Sequence, residues 1–410
     1  MDSLIHGFHN MSVEDRRKLI KEFSGLTEDD METMDYRMPI DAAGNMIENV
    51  YTIMDYPVGV ATNFRINGKD YLIPMSLEEP SVVAACSNGA RYARPDGFTA
   101  YSSNSLMRGE IELYSVPDPD YAVIKILQNK EKILEMANSR SKTLSGMKAG
   151  AKSIEIHYIN NELIVNLIID VADAMGANII NTMLEYVSGY IEELTGGKSN
   201  LRIMSNLTTE RITYAYAKFD GKKLGQETVD RIILANEFAK HDIYRATTHN
   251  KGIMNGIDAV LLATMNDFRA QEANAHAYAS INGYGPLTEY RKDSEGNLIG
   301  SIKIPVAVGT VGGATRTSRK AMLAMKIMRI SGSAEFASIL ASVGLAQNFA
   351  ALRALADEGI QSGHMKLHAR NIAIAAGATG DLVEKVAREM ISGKNISYTA
   401  AREIIEKTRG

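Results

Sequence analysis

Hydrophobic and polar positions change rhythm several times along this chain. Residues 1–55 read as helices, with Ser12 followed by Asp15 and Thr27 followed by Asp30 as capping pairs before amphipathic stretches. The alternating runs of FRINGKDYLIP (64–74) meet at Asn67-Gly68, which predicts a tight hairpin. Pro80 then fits the first turn of a helix through SVVAACSNGARYAR.

A different order follows from 110 to 215. EIELYSV (110–116) reads as a strand, and DYAVIKILQNKEKILEMANS (120–139) has helical spacing. SIEIHYI and ELIVNLIIDV, split by Asn160-Asn161, read as a hairpin. A helix runs to about Leu194 and is stopped by Gly196-Gly197, and the strands LRIMS and RITYAYAKF come next. Strand, helix, strand, strand, helix, strand is the split βαβ, ferredoxin-like order, here inserted within a larger domain. Residues 228–282 and 318–358 are helical in pattern, with a hairpin near SEGNLIGSIKIP between them. The last fifty residues hold EGIQSGHMKLHARN and then two short helices.

The expected fold is therefore α+β and multidomain. A large mixed helical and sheet domain takes 1–108 and 216–358, a small ferredoxin-like domain 109–215, and a C-terminal helical flap 359–410.

Composition narrows the class. The 410 residues are 45% hydrophobic and 23% charged, which suits a soluble chain with sizeable cores. A net charge of −4, from 45 basic and 49 acidic residues, draws the chain to neither nucleic acid nor membrane. No apolar run approaches the ~18 residues of a membrane span, and the N-terminus lacks the order of a signal peptide. The single cysteine, Cys86, excludes an internal disulfide and fits a reducing cytoplasm.

Four stretches could carry chemistry. LEEPSVVAA (77–85) sets two carboxylates before a helix, as capping groups or as an acid that gives and takes a proton. DAMGAN (173–178) leads from a strand into a helix whose N-terminus suits phosphates, though it is no GxGxxG. GTVGGATR (309–316) has glycines at the wrong spacing for that fingerprint and reads as a tight turn. YRATTHNKGIMNG (244–256) supplies Arg245, Lys251 and Asn255, and NDFRAQEA then opens a helix with Asn266 and Asp267. By local sequence Lys251 reads as a solvated turn lysine. Held by an aspartate, the same cation could stabilise negative charge on a carbonyl oxygen. GHMKLHARN places His364 and His368 four apart, without the glutamate or third ligand that zinc would need. A histidine there could instead protonate a thiolate leaving group, and Gly359 and Gly363 would let it move.

Taken together these stretches resemble one family, 3-hydroxy-3-methylglutaryl-CoA (HMG-CoA) reductase of the soluble bacterial and archaeal class II type. The likeness runs over nearly the whole chain and is densest in NMIENV, EEPSVVAA, DAMGANIINTM, RIMSNL, YRATTHNKGIMNGID, ATMNDFRA, VGLAQNFAALRALA and EGIQSGHMKLHARN.

The resemblance implies reduction of HMG-CoA to mevalonate and CoA by two NAD(P)H, through mevaldyl-CoA and mevaldehyde, or the reverse. It makes Lys251 the cation on the thioester carbonyl and Glu79 the acid of the aldehyde stage. Asp267 would link the two, and His364 would protonate the departing CoA thiolate. Ser81, Arg245 and Asn255 match positions that hold the hydroxymethylglutaryl part. Asp173, Met175, Gly176, Ala177, Asn178 and Asn206 match the cofactor site of the inserted domain. No metal is implied, and the family's active site forms between the subunits of a homodimer, alone or in higher multiples.

One departure concerns the nucleotide. NADH-preferring members tend to carry an aspartate where ANSRSKTLSG places Ser141, between Arg140 and Lys142. Arg and Lys attract a 2′-phosphate that an acid would repel, so NADPH is the expected cofactor and NADH the alternative. Two rival readings are another NAD(P)-dependent alcohol or aldehyde dehydrogenase and a non-catalytic acyl-CoA-binding protein.

Overall fold

The computed structural model describes residues 1–160, 162–356, 369–393 and 395–409. Its first helices are α1 (Val13–Ser24), α2 (Glu28–Asp35) and α3 (Ile40–Gly44). Ser12 caps α1 by accepting from the Asp15 N–H, and Thr27 with Asp30 forms a reciprocal capping box on α2. The expected helices stop at Gly44. Beyond it the chain is mostly irregular to Pro57 and leaves Tyr51 and Met54 exposed.

Strands β1 (Val58–Ile66) and β2 (Lys69–Ser76) pair across Asn67-Gly68, both residues with positive φ (49° and 80°). They belong to a six-stranded sheet with β3 (Phe98–Ser102), β8 (Ile212–Phe219), β9 (Thr288–Lys292) and β10 (Leu298–Pro305), in the order β2-β1-β3-β8-β10-β9. Helix α4 (Val82–Tyr92) connects β2 to β3.

The second sheet holds β4 (Leu106–Tyr114), β5 (Gly150–Ile159), β6 (Glu162–Asp170) and β7 (Lys198–Met204), in the order β5-β6-β4-β7 with every pair antiparallel. Helices α5 (Pro119–Gln128), α6 (Lys130–Asn138), α7 (Lys142–Gly146) and α8 (Ala177–Thr195) complete a split βαβ arrangement. The helix expected over 120–139 is two, parted at Asn129. Alternate strand residues such as Ile111, Val165 and Leu167 face Ile180 and Leu184 of α8 in a core of their own. This sheet begins at Leu106, before the expected limit of 109. Ile212–Ala215, expected in the insert, pair instead with β3 and β10.

Helices α9 (Gly221–Leu224), α10 (Gln226–His241), α11 (Ile243–Ala263) and α12 (Phe268–Ser280) follow β8, while α13 (Gly313–Thr317), α14 (Arg319–Met328) and α15 (Ser333–Ala356) follow β10. The sequence expectation that no apolar run is long enough to span a membrane needs correcting at α15. By length and composition it could cross one, but 78% of its apolar window is buried inside the protein, between the large sheet and helices α4 and α11. Residues 369–375 (α16), α17 (Asp381–Ser392) and α18 (Tyr398–Arg409) gather a separate small core that includes Ala373, Val386 and Ala401.

Candidate active site

Glu79 and Ser81 sit in the turn between β2 and α4. The helix begins two residues after Pro80, so Ser81 heads it rather than the proline. Ser81 holds a left-handed backbone (φ 76°, ψ −19°), a conformation that costs a non-glycine residue ~1–2 kcal/mol. Its hydroxyl makes no capping bond. The oxygen is buried and has no hydrogen-bond partner among the described residues. The turn thus holds a strained residue with an unsatisfied buried hydroxyl.

Lys251 is not in a turn. It lies inside α11, which starts at Asp242, whose carboxylate accepts from the Arg245 N–H at 2.6 Å. The glycines that suggested a turn serve packing instead. A Cβ on Gly256 would stand 3.0 Å from Gln347 and Val343 of α15, whereas one on Gly252, beside Lys251, would meet nothing within 4 Å. Lys251 and Asn255 are four residues apart and share the helix face that this leaves open. Lys251 Nζ reaches Glu79 Oε2 at 3.3 Å, with side chains 61% and 39% exposed. The pair is thus accessible to solvent.

Arg245 is half-buried, and its guanidinium makes no hydrogen bond or ion pair among the described residues. Burial lowers its pKa. One turn on, His249 donates through or accepts at Nε2 from Thr288 Oγ1 at 2.6 Å, and burial and then the Arg245 charge push its pKa down to about 3. His249 is therefore neutral, and Arg245 presents an uncompensated positive charge suited to a carboxylate.

Asp267 is the N-cap of α12, its Oδ1 accepting from Ala270 N at 3.0 Å and from Arg269 Nε at 3.2 Å. Burial raises its pKa, but the Ala270 N–H and the Arg269 guanidinium outweigh that and hold it below the usual carboxylate range. The expected link to Lys251 and Glu79 is not made in this structure. Capping turns the carboxylate towards its own helix.

The DAMGAN turn joins β6 to α8. Gly176 has φ 101°, and a Cβ there would meet Val171 at 2.5 Å, so only glycine fits. No side chain caps the N-terminus of the 19-residue α8, which leaves N–H groups beside Ala177 and Asn178 free for an anion. Asn206 follows β7 at the same end, where Met204 N donates to Asn181 Oδ1 of α8 at 3.0 Å. Asp173 has a structural task that its sequence did not suggest: its Oδ1 accepts from Ser333 N at 2.7 Å, anchoring the start of α15. Met175 lies half-buried against the core of the four-stranded sheet. Arg140 stacks on Tyr186 of α8 at 4.6 Å, Lys142 is exposed, and the Ser141 hydroxyl caps α7 through Leu144 N at 3.2 Å. His364 and His368 lie outside the described residues.

The hydroxymethylglutaryl-coenzyme A reductase family model matches residues 12–369. The 3-hydroxy-3-methylglutaryl-coenzyme A reductase of Archaeoglobus fulgidus is 51% identical over 100% of this chain and 95% of its own. A probable counterpart from Borreliella burgdorferi is 37% identical over 90% and 86%. The class II enzyme of Streptococcus pneumoniae, solved bound to NADPH in open conformations, superposes with a TM-score of 0.82 at 37% identity, covering 98% of this chain and 100% of that one.

The chain belongs to the hydroxymethylglutaryl-coenzyme A reductase family.

As an HMG-CoA reductase it is an oxidoreductase that converts HMG-CoA to mevalonate and CoA, and its mixed α/β fold is that of the class II enzymes. Two buried groups of this HMG-CoA reductase escaped the sequence reading. Arg211 precedes β8 and is 1% exposed, and nothing in RITYAYAKF marks its arginine as buried. Asp258 had a signal, a lone carboxylate in the apolar run GIDAVLLA.

Proposed function

We propose that HMG-CoA reduction takes place around the Lys251–Glu79 pair. The observation that carries this reading is the 3.3 Å contact between an accessible cation and an accessible carboxylate, beside the unpartnered Ser81 hydroxyl. Lys251 holds the thioester oxygen and stabilises negative charge on it. Glu79 passes a proton to the aldehyde oxygen. Asp267, the carboxylate at the head of α12, keeps the network role its motif suggests. Arg245 takes the terminal carboxylate, and Ser81 and Asn255 take the remaining oxygens. His364 keeps the role its motif suggests, protonating the CoA thiolate.

NADPH, which when bound supplies hydride, fits the residues at the head of α8. The uncapped N–H groups and Gly176 would face its phosphates, and Arg140 and Lys142 the 2′-phosphate. Asn206, Met175 and Ser141, matched by their motifs, would join that site. The division into a large substrate domain, a small nucleotide domain and a C-terminal flap follows the two sheets and the separate C-terminal core. The exposed apolar arm at Tyr51 and Met54 supports a homodimer, and the free, buried Cys86 is consistent with a reducing cytoplasm as its compartment.

The test is absorbance loss of NADPH with HMG-CoA, where two NADPH consumed per mevalonate formed is expected. Lys251→Ala should fold, since alanine suits an exposed helix position, and lose on the order of a hundred- to a thousand-fold in rate. Near-normal turnover would remove Lys251 from the chemistry.

A further inference from the structure

The GTVGG segment, by sequence a plain turn, touches both halves of the site. Gly309 N donates to Asn266 Oδ1 at 3.0 Å, and Asn266 immediately precedes Asp267. One residue on, Thr310 N donates to the Asp173 carbonyl at 2.9 Å. Gly309 itself lies so close to the DAMGAN turn that a Cβ would stand 2.8 Å from Met175 N.

Arg211 clamps the same two backbones from beneath. Its Nη2 donates to the Val308 carbonyl at 2.7 Å and its Nη1 to the Ala174 carbonyl at 3.2 Å. The side chain is 1% exposed and makes no ion pair among the described residues, although Asp170 and Asp173 are near enough to favour its charge. Burial lowers its pKa to about 10, so it remains a cation at neutral pH. A buried guanidinium whose bonds go to carbonyls of two separate loops fixes their spacing. Both turns joined here also carry a left-handed non-glycine residue, Ala172 (φ 52°) and Met265 (φ 51°).

We propose that Val308–Thr310 is a rigid tie setting the distance between the cofactor cradle and Asp267, with Asn266 and Arg211 as its positioning residues for hydride transfer. The proposal rests on the reading of DAMGAN as the cradle and Asp267 as part of the catalytic group. Asn266 and Arg211 act through the loops they hold. Their effect is on alignment, where an error of an ångström can cost on the order of a hundredfold in rate.

The experiment compares Asn266→Ala and Arg211→Lys with the wild type in kcat, KM for HMG-CoA, NADPH Kd by calorimetry, and the primary isotope effect on kcat with NADPH deuterated at the transferred position. Asn266→Ala should lower kcat by about tenfold, keep KM and Kd within about twofold, and enlarge the isotope effect, because misalignment slows hydride transfer alone. Arg211→Lys should act in the same direction, and the double variant should lose less than the product of the two. If Arg211→Lys does not fold, Asn266→Ala decides by itself. A wild-type kcat in Asn266→Ala, or a fall in kcat with an unchanged isotope effect, would overturn the proposal. Asn178→Asp is the separate control on the cradle, since an acid suits a helix N-terminus but repels phosphate. An unchanged NADPH Kd there would sink the cradle reading whatever Asn266→Ala shows.

Discussion

Lys251 and Glu79 meet at 3.3 Å across 172 residues of sequence, one from the interior of α11 and the other from the turn before α4. Both helices pack on α15, so the contact is set by the core rather than by either segment. Glu79→Gln keeps a group that can contact Lys251 but removes the proton. It should fold with an unchanged melting temperature and lose on the order of a hundredfold or more in mevaldehyde reduction. Steady-state rates with mevaldehyde and NADPH check this, and near-wild-type turnover would remove Glu79 from proton transfer.

Ser81 offers a trade between stability and function. Ser81→Gly relieves the left-handed strain and loses no internal hydrogen bond, so it should be stabilised by about 1 kcal/mol. It should also bind HMG-CoA more weakly, by roughly tenfold, because the hydroxyl is gone. Thermal unfolding and KM measured together test it. A lowered melting temperature, or an unchanged KM, would show that the hydroxyl serves the fold and not the ligand.

Nucleotide choice should be readable at Arg140. Arg140→Ala removes both its stacking on Tyr186 and a charge beside Lys142. The ratio of kcat/KM for NADPH to that for NADH should fall by roughly tenfold, through loss of a charge-assisted contact with the 2′-phosphate. An unchanged ratio would leave Arg140 as a helix-packing residue only.

Asp258 predicts a pH dependence of stability. Its Oδ1 is buried without a hydrogen-bond partner among the described residues, and burial and then the Glu272 carboxylate push its pKa up to about 9. The folded value exceeds the unfolded one, so this group's stabilisation is fully present below about pH 4 and is lost as pH rises through about 9. Asp258→Asn carries no charge and can donate to Glu272, so its advantage over wild type should widen from pH 5 to pH 9, reaching roughly 2–4 °C. Melting curves at pH 5, 7 and 9 decide. A difference equal at all three would rule out titration of Asp258.

Local signals were legible where neighbours in sequence settle the conformation. The capping pairs at Ser12 and Thr27, the Asn67-Gly68 turn and the Gly196 stop all depend on a few adjacent residues. Lys251 was misread for the same reason. Glycines at 252 and 256 weaken a helix by propensity, and the close packing at Gly256 against Val343 and Gln347, some ninety residues on, favours an unbroken α11 there. Membership of β8 in the large sheet, the second task of Asp173 and the burial of Arg211 were equally out of reach, because each depends on a partner distant in sequence.

The sequence by itself determined the order of elements, the split βαβ insert and, through eight motifs in a fixed order, the reaction. Those are carried by short-range periodicity and by residue chemistry. Tertiary structure decided which groups meet: Glu79 with Lys251, Asp173 with Ser333, and Asn266 with Gly309. Such contacts are fixed by the packing of whole helices and loops against shared cores, and no stretch of the chain states them alone.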